Sequence, residues 1–503
     1  MHCHPCGVGC ASVSQVHAKA NEATRRYKIG VLVVAYNAES TLAAMLDRIP
    51  PDFRAKIDEM IICDDASSDA TYDVGVKWRT ENDGVPTTVV RHLKNLGYGG
   101  NQKAGYQLAA EHGVDIIVLL HGDGQYAPEC LPDLVAPLER DECDAVFGSR
   151  LMVPGSARNG GMPLYKYVGN RILTMVENRL LGSELTEFHS GYRAYKVAAL
   201  SQLPLQHNTD GFDFDTQIIV QLLDAGKRIV EVPIPTYYGD EICYVNGLKY
   251  ARDVVRDVAQ YRLSKMGFGT HQWVANSPEY TLKDSEGTSH TVILDMLRDQ
   301  PPGRILDVGC SGGLLAEQMR ALGHHVVGMD SIEIPEVRGR VDRFVSGDVE
   351  EGIPTEVGDG FDVVVAADVI EHVRRPDVLL QQMARVLAPN GELIVSTPNF
   401  GHWYPRIRVV TGTFGYDRRG ILDETHLRFF TARTLQTLFS SHGLDVTELR
   451  HTGLPFDVLT RDSQLARVAR RFDHALVRAR PTMFAYQFVL RAKPHRGETM
   501  VAA

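Results

Sequence analysis

Residues 115–125, D-I-I-V-L-L-H-G-D-G-Q, leave a chain few architectures. Ile116, Ile117, Val118, Leu119 and Leu120 follow one another without polar alternation. Such a run suits a strand buried on both faces, and those strands belong to largely parallel sheets covered by helices. It stops at once in His121-Gly122-Asp123-Gly124-Gln125. Open α/β sheets bind ligands in the crevice beyond the carboxyl ends of their strands. Two glycines beside one aspartate let backbone and carboxylate approach a bulky, charged guest. A divalent cation carrying a diphosphate fits, because Mg²⁺ and Mn²⁺ take oxygen ligands and share them with substrate phosphates. A plain Asp-Gly turn would use the same residues, so the surroundings decide.

The surroundings repeat the pattern. Residues 28–35 (K-I-G-V-L-V-V-A), 60–63, 88–91 and 145–147 read as further strands, each running into polar or glycine residues. Helical stretches separate them, and Ser40 or Thr41 would cap the first. That alternation predicts β/α units, a mostly parallel sheet and unusual chemistry gathered on one edge. Residues 230–235 (V-E-V-P-I-P) read as an edge strand, since proline cannot donate to a ladder. Residues 247–263 read as an amphipathic helix with Leu248, Ala251, Val254, Val255, Val258 and Tyr261 on one face.

With 503 residues the chain exceeds a single core, which predicts two or three domains. A net charge of −10 gives no electrostatic footing for a nucleic-acid partner. No run of 18 apolar residues exists, so no transmembrane helix is expected. The opening residues lack a signal pattern, and the expectation is a cytoplasmic protein with at most peripheral contact at the inner face of the membrane. Eight scattered cysteines make no disulfide framework. Cys3, Cys6 and Cys10 beside His2 and His4 are soft-metal ligands without a second ligand pair, so residues 1–27 are expected to be a tail.

Six motifs run in order over about residues 27–263: V-V-A-Y-N, I-C-D-D-A-S-S-D, N-L-G-Y-G-G-N, H-G-D-G-Q, F-G-S-R and S-G-Y-R-A-Y. Together they resemble a family-2 glycosyltransferase of the dolichol-phosphate mannosyltransferase-like branch. The resemblance implies a GT-A nucleotide-sugar-binding fold over residues 28–264 and inversion at the anomeric carbon. It implies a UDP- or GDP-linked sugar donor, a divalent cation (Mg²⁺ or Mn²⁺), and a polyprenyl phosphate or glycan as acceptor. By it, Tyr36 and Asn37 line the nucleotide pocket, Asp65 bonds the base, and Asp123 binds the metal with Gln125 beside it. Two positions depart from the pattern. His121 stands where D-x-D has its first aspartate, and Val34 stands where proline is usual. Imidazole ligates Mn²⁺ but suits Mg²⁺ poorly, so His121 is either a ligand or a support behind the ligands.

Arg150 and Arg193 lie inside matched motifs and are expected to grip phosphate, with Lys166 and Arg171 in the segments that follow. A polyprenyl phosphate is already ionised and needs no base, whereas a sugar hydroxyl needs one. Asp213 and Asp215, in G-F-D-F-D-T-Q, are candidates for that base and equally for helix N-caps.

Residues 265–278 (K-M-G-F-G-T-H-Q-W-V-A-N-S-P) read as a linker. Beyond it, residues 304–308 run into G-C-S-G-G and a helix, a loop whose N–H groups face an anionic or polar ligand. The next strand, H-H-V-V-G-M-D, ends in Asp330, placed to grip ribose hydroxyls. D-V-G-C-S-G, G-M-D, S-G-D-V-E and F-D-V-V-V-A-A-D-V-I-E-H resemble a class I S-adenosylmethionine-dependent methyltransferase. The implied domain covers residues 279–495, before a tail at 496–503. By this resemblance Asp307, Gly309 and Gly312 bound the methionine and ribose end of the cofactor. Asp330 takes the ribose, Asp348 the adenine amine, and Asp368 lies near the methyl group. A nucleotide-reducing Rossmann domain would need a third spaced glycine that this loop lacks. L-A-P-N-G-E-L-I-V-S-T-P looks like the methyltransferase's fifth helix, turn and strand. Residues 280–285 and His290 look like a cover over the cofactor, and T-H-L-R-F-F-T fits the same group. Methyl transfer to a hydroxyl needs a base near neutral pH, a role open to His372 or His426. Nitrogen and carbon acceptors stay open.

The expectation is therefore α/β: a GT-A domain followed by a Rossmann-like class I methyltransferase domain, with both activities serving one glycan pathway. The alternative is an active methyltransferase whose first domain binds a nucleotide sugar or glycan without catalysis.

Overall fold

A computed structural model describes residues 27–237, 246–269, 273, 287–456 and 464–495. Outside them lie the amino-terminal cysteines and histidines, most of the expected linker, residues 280–285 and the tail at 496–503. The chain divides into two compact units. Within the described residues the first takes 27–171, Thr186–Ile218 and 226–237, and the second takes Ile172–Leu185, Ile219–Ala225 and 246–495.

The first unit is built on a seven-stranded sheet: β1 (Ile29–Ala35), β2 (Ile57–Asp64), β3 (Thr87–Arg91), β4 (Ile116–His121), β5 (Ala145–Ser149), β6 (Arg193–Lys196) and β7 (Ile229–Pro233). Their order is β3-β2-β1-β4-β6-β5-β7. Every residue from Ile116 to Leu120 is fully buried, as the unbroken apolar run requires. β7 is an edge strand, paired with β5 alone. β6 went unread in the sequence: four residues inside S-G-Y-R-A-Y, lying antiparallel between β4 and β5. So short a strand carries no period of its own.

Register gathers the chemistry. Val34 on β1 aligns with Cys63 on β2 and with His121 on β4. The three strands therefore end at one level, and Tyr36, Asp65 and Asp123 all leave the sheet at the same edge. After β1 the chain builds outward to β3, then returns to place β4 on the other side of β1, which makes this the topological switch point. The helix Tyr98–Glu111 packs over β1, and Gly105 makes the approach possible, because a Cβ there would run into the Leu32 side chain.

The second unit carries β8 (Arg304–Val308), β9 (His325–Asp330), β10 (Arg343–Ser346), β11 (Phe361–Ala367), β12 (Leu387–Pro398), β13 (Leu444–His451) and β14 (Gln487–Pro494). They run in the order β10-β9-β8-β11-β12-β14-β13. The ladders are parallel except β12–β14 and β13–β14. L-A-P-N-G-E-L-I-V-S-T-P is strand throughout, and the helix expected at its start lies earlier, at Pro376–Arg385.

The helix Gly247–Lys265, expected to close the first domain, falls in the second unit. Val258 and Tyr261 pack there with Val220 and Trp273, and the Tyr261 hydroxyl donates to Asp224 at 3.0 Å. Its buried face is rotated from the one expected: Leu248 is 87% exposed, and Asp257 is buried instead. No helix among the described residues is long and apolar enough to cross a membrane.

Gly105→Val should destabilise the first unit by about 1–3 kcal/mol through overpacking against Leu32. Denaturant unfolding followed on that unit's transition checks this.

Candidate active sites

At the switch point of the first sheet, four loops are stitched together. Asn37 sits at φ 49°, its backbone N–H donating to Ser67 Oγ at 2.9 Å and its Oδ1 accepting from the Ser68 N–H at 3.0 Å. Tyr36 beside it stays 45% exposed. Asp65 is buried. Its two oxygens accept from the N–H groups of Leu96 (2.7 Å) and Gly97 (3.0 Å), and burial raises its pKa despite those bonds. Asp65 thus organises the turn into the helix Tyr98–Glu111 rather than offering an open carboxylate. The glycines of that turn serve close packing. A Cβ on Gly97 would lie 2.6 Å from the Asp210 carbonyl, and one on Gly99 would lie 2.7 Å from that of Thr209.

Beyond β4, Asp123 is exposed, with Oδ1 accepting from the Gln125 N–H at 3.0 Å. Gly124 follows at φ 75° with open space around it. His121 is seated deeper. Its Nε2 lies 3.4 Å from the Tyr98 hydroxyl, and the rings of Tyr98 and Tyr126 stand edge-on to it at 5.6 and 4.9 Å. Burial pushes the imidazole below its ordinary pKa, against the upward pull of Asp123 and Asp215, so it is neutral at pH 7. Gly191 leaves room for the ring, since a Cβ there would come within 2.7 Å of His121 Cε1. Neither Tyr98 nor Gly191 was singled out from sequence, although both lie in recognised motifs.

Both arginines expected to hold phosphate are spent inside the protein. Arg193 is 1% exposed and gives its guanidinium to the carbonyls of Ser190, Asp215 and Phe188, with the Asp215 carboxylate 3.7 Å away. Arg150 pairs with buried Glu187 and donates to the His189 carbonyl at 3.0 Å. A fork so occupied positions loops instead of binding a ligand. Asp215 is buried too, accepting from Tyr98 Oη at 2.9 Å and Gln102 Nε2 at 3.4 Å, which removes it as an open base. Asp213 is half-buried, and its carbonyl receives the N–H groups of Thr216 and Gln217, the N-cap position of the helix Phe214–Asp224.

In the second unit, Asp307 ends buried on β8, and among the described residues its Oδ2 has no hydrogen-bond partner. Burial, then the nearby Asp330 carboxylate, raises its pKa to about 7. The loop that follows turns through left-handed positions at Gly309, Ser311 and Gly313; Gly312, expected to shape it, is not one of them. Asp330 accepts from the N–H groups of Ser311 (2.8 Å) and Ile332 (3.1 Å), tying the first two strand ends together. Asp348 is exposed, bonded to the Glu350 N–H at 2.9 Å. Asp368, at φ 56°, accepts from Ser396 Oγ (2.6 Å) and from Gln487 Nε2 (2.8 Å), a side chain on β14 with no sequence signal. His290 is buried within the helix Ser289–Arg298.

The two candidate bases come together. The N–H groups of Leu427 and Arg428 donate to the Glu371 carbonyl, laying T-H-L-R-F-F-T against the loop after β11. The rings of His372 and His426 are then 4.8 Å apart. His372 Nδ1 meets Thr425 Oγ1 at 3.1 Å, and His426 Nδ1 meets the Ile421 carbonyl at 3.3 Å. Burial, then the neighbouring His372, lowers the His426 pKa. Glu371, His372 and His426 offer ligand atoms all within 4.8 Å of one another, a cluster not read from sequence.

Comparison with known proteins agrees with the family expected for each half. The model of the family described as "Glycosyl transferase family 2" matches residues 30–203, and that of a "Methyltransferase domain" matches 289–449. A UDP-N-acetylglucosamine–dolichyl-phosphate N-acetylglucosaminyltransferase of Methanococcus voltae is 30% identical over 220 residues, 42% of this chain and 86% of that protein. The chain belongs to glycosyltransferase family 2. An undecaprenyl-phosphate mannosyltransferase of Micrococcus luteus is 31% identical, over 39% of this chain and 75% of its own length. For the second half, a ubiquinone biosynthesis O-methyltransferase of Azorhizobium caulinodans is 33% identical, over 32% of this chain and 66% of its own length. This family-2 glycosyltransferase thus carries a methyltransferase domain, and both parts are transferases.

Two expectations follow. Removing Arg193 from the glycosyltransferase (Arg193→Met) strands Asp215 in the core and should cost about 3–5 kcal/mol of stability, read by denaturant unfolding. In the methyltransferase, Asp307 has a native pKa near 7, above its unfolded value, so the folded state holds a proton that the unfolded chain releases. Stability contributed there is present at low pH and is lost as pH rises from about 4 to 7. Asp307→Asn should flatten that slope, raising the melting temperature at pH 8 more than at pH 5.

Proposed function

We propose that the domain at residues 28–264 transfers a sugar, with inversion, from a UDP- or GDP-linked donor to a polyprenyl phosphate. The domain at 279–495 then transfers a methyl group from S-adenosylmethionine within the same glycan or glycolipid pathway. The observation that carries the first part is the exposed Asp123 carboxylate at the carboxyl end of β4, beside neutral His121 and the open backbone of Gly124. One oxygen donor and one nitrogen donor there fit a divalent cation, Mg²⁺ or Mn²⁺. Asp123 and His121 would hold it with Gln125 beside them, and its charge would stabilise the departing diphosphate. Tyr36 and Asn37 border the nucleotide at the same edge.

The burial of Asp215 bears on the acceptor. Asp215 is committed to Tyr98 and Arg193, so an acceptor that arrives ionised suits this site better than a sugar hydroxyl. The names of the two glycosyltransferase relatives point to lipid phosphates as well. A lipid acceptor places the reaction at a membrane surface, which on this reading is the inner face, reached from the cytoplasm.

For the second domain, the unpartnered Asp307 Oδ2 fits a cofactor that brings a cation. The ammonium of S-adenosylmethionine would satisfy it, with Gly309 and Gly313 shaping the loop, Asp330 on the ribose and Asp348 on the adenine amine. The bound sulfonium supplies the methyl group. Neutral His426 would take the proton of an acceptor hydroxyl, with His372 packed against it and Asp368 held by Ser396 and Gln487 at the same sheet edge.

Ligand-dependent melting with UDP-, GDP- and dTDP-sugars plus Mg²⁺ or Mn²⁺, and separately with S-adenosylhomocysteine, tests both halves. A ligand at ~100 times its dissociation constant adds ~2.7 kcal/mol to the native state. A metal-dependent shift with one sugar nucleotide should appear and vanish in Asp123→Ala. A shift with S-adenosylhomocysteine alone would leave the first domain a non-catalytic binding module.

A further inference from the structure

His121 occupies the place of a D-x-D carboxylate, and residues outside that motif decide how its ring is presented. Asp215 lies 3.7 Å from the Arg193 guanidinium in the core, so it faces Tyr98 as a carboxylate, an acceptor only. The Tyr98 hydroxyl must then give its proton to Asp215 Oδ2, 2.9 Å away, and its oxygen is left to accept. His121 Nε2, at 3.4 Å, is the donor on that side. Tyr126 closes the other flank of the imidazole at 4.9 Å, and only glycine at 191 leaves room for it. A neutral imidazole protonated at Nε2 carries its lone pair on Nδ1.

We propose that Tyr98, backed by Asp215, is a positioning residue that holds His121 as the Nε2–H tautomer, so that Nδ1 joins Asp123 in a nitrogen–oxygen site selecting Mn²⁺ over Mg²⁺. The inference rests on the metal-dependent reading of the first domain. Its chemistry is that of metal-bound histidines generally, whose second nitrogen is fixed by a donor or acceptor behind it. Replacing a carboxylate by imidazole removes one hard oxygen ligand, which Mg²⁺ tolerates poorly and Mn²⁺ accepts.

The test uses the full chain and two probes, Mn²⁺ with UDP and Mn²⁺ with GDP. Bound Mn²⁺ is read from the loss of the free-ion electron paramagnetic resonance signal, and Mg²⁺ by competition. Tyr98→Phe keeps the ring that stacks on Phe212 at 5.0 Å and removes only the hydroxyl. It should weaken Mn²⁺ binding roughly 10-fold or more while leaving Mg²⁺ competition little changed. His121→Asp should erase the preference for Mn²⁺, and adding Tyr98→Phe to it should not alter the Mn²⁺-to-Mg²⁺ ratio further. An unchanged ratio in Tyr98→Phe, with His121→Ala weakening Mn²⁺, would overturn the positioning role and leave the metal site standing. Mn²⁺ binding that survives Asp123→Ala would overturn the metal reading itself, and this proposal with it.

Discussion

The pair of Arg193 and Asp215 governs the first site without touching anything outside the protein. A charge taken out of water is costly unless it is paired and its remaining donors are satisfied. Arg193 goes far toward that condition: three carbonyls take three of its five N–H groups, Asp215 balances its charge, and the Phe147 ring lies 4.9 Å from it. Those carbonyls belong to the loop before β6 and to the start of the helix Phe214–Asp224. One side chain therefore fixes the antiparallel strand, the helix and the carboxylate between them. The Tyr98 hydroxyl reads the position of that carboxylate, and His121 reads Tyr98. The support of this edge is buried, and support placed on packed elements holds geometry better than support placed on loops.

This arrangement explains why strand ends were legible in the sequence and side-chain roles often were not. Five buried residues from Ile116 to Leu120 announce a central strand because their burial leaves a pattern. An arginine in a motif announces only a fork of donors. Whether carbonyls or phosphates meet that fork is decided by the loop before β6 and by the start of the helix Phe214–Asp224, which a linear reading does not show as partners. The glycines were equally silent in sequence. Gly97, Gly99 and Gly191 each make room for a neighbouring backbone or ring. Gly124, by contrast, combines a left-handed backbone with open surroundings.

The second unit shows the opposite balance. Its aspartates stand at strand ends where the pattern put them, because Asp307, Asp330 and Asp368 close apolar runs. What sequence left open was the partnership of residues far apart along the chain. His372 and His426 meet only because T-H-L-R-F-F-T lies along the loop after β11 through bonds to the Glu371 carbonyl. Gln487 reaches Asp368 only because β14 inserts antiparallel beside β12. Neither contact has a local signature.

The two halves also differ in how they treat an acidic group at a ligand edge. Asp123 stays in solvent, where holding a negative charge costs little and a cation can be recruited on demand. Asp307 is driven into the core beside Asp330, where burial and that neighbour both disfavour its charge. The first arrangement suits a metal that comes with its nucleotide. The second suits a cofactor that carries its own positive charge, since binding then relieves the buried carboxylate and the relief adds to affinity. An exposed acid beside a neutral imidazole and a buried acid beside another acid are thus two different instruments. Each matches the charge of the donor its domain is proposed to use.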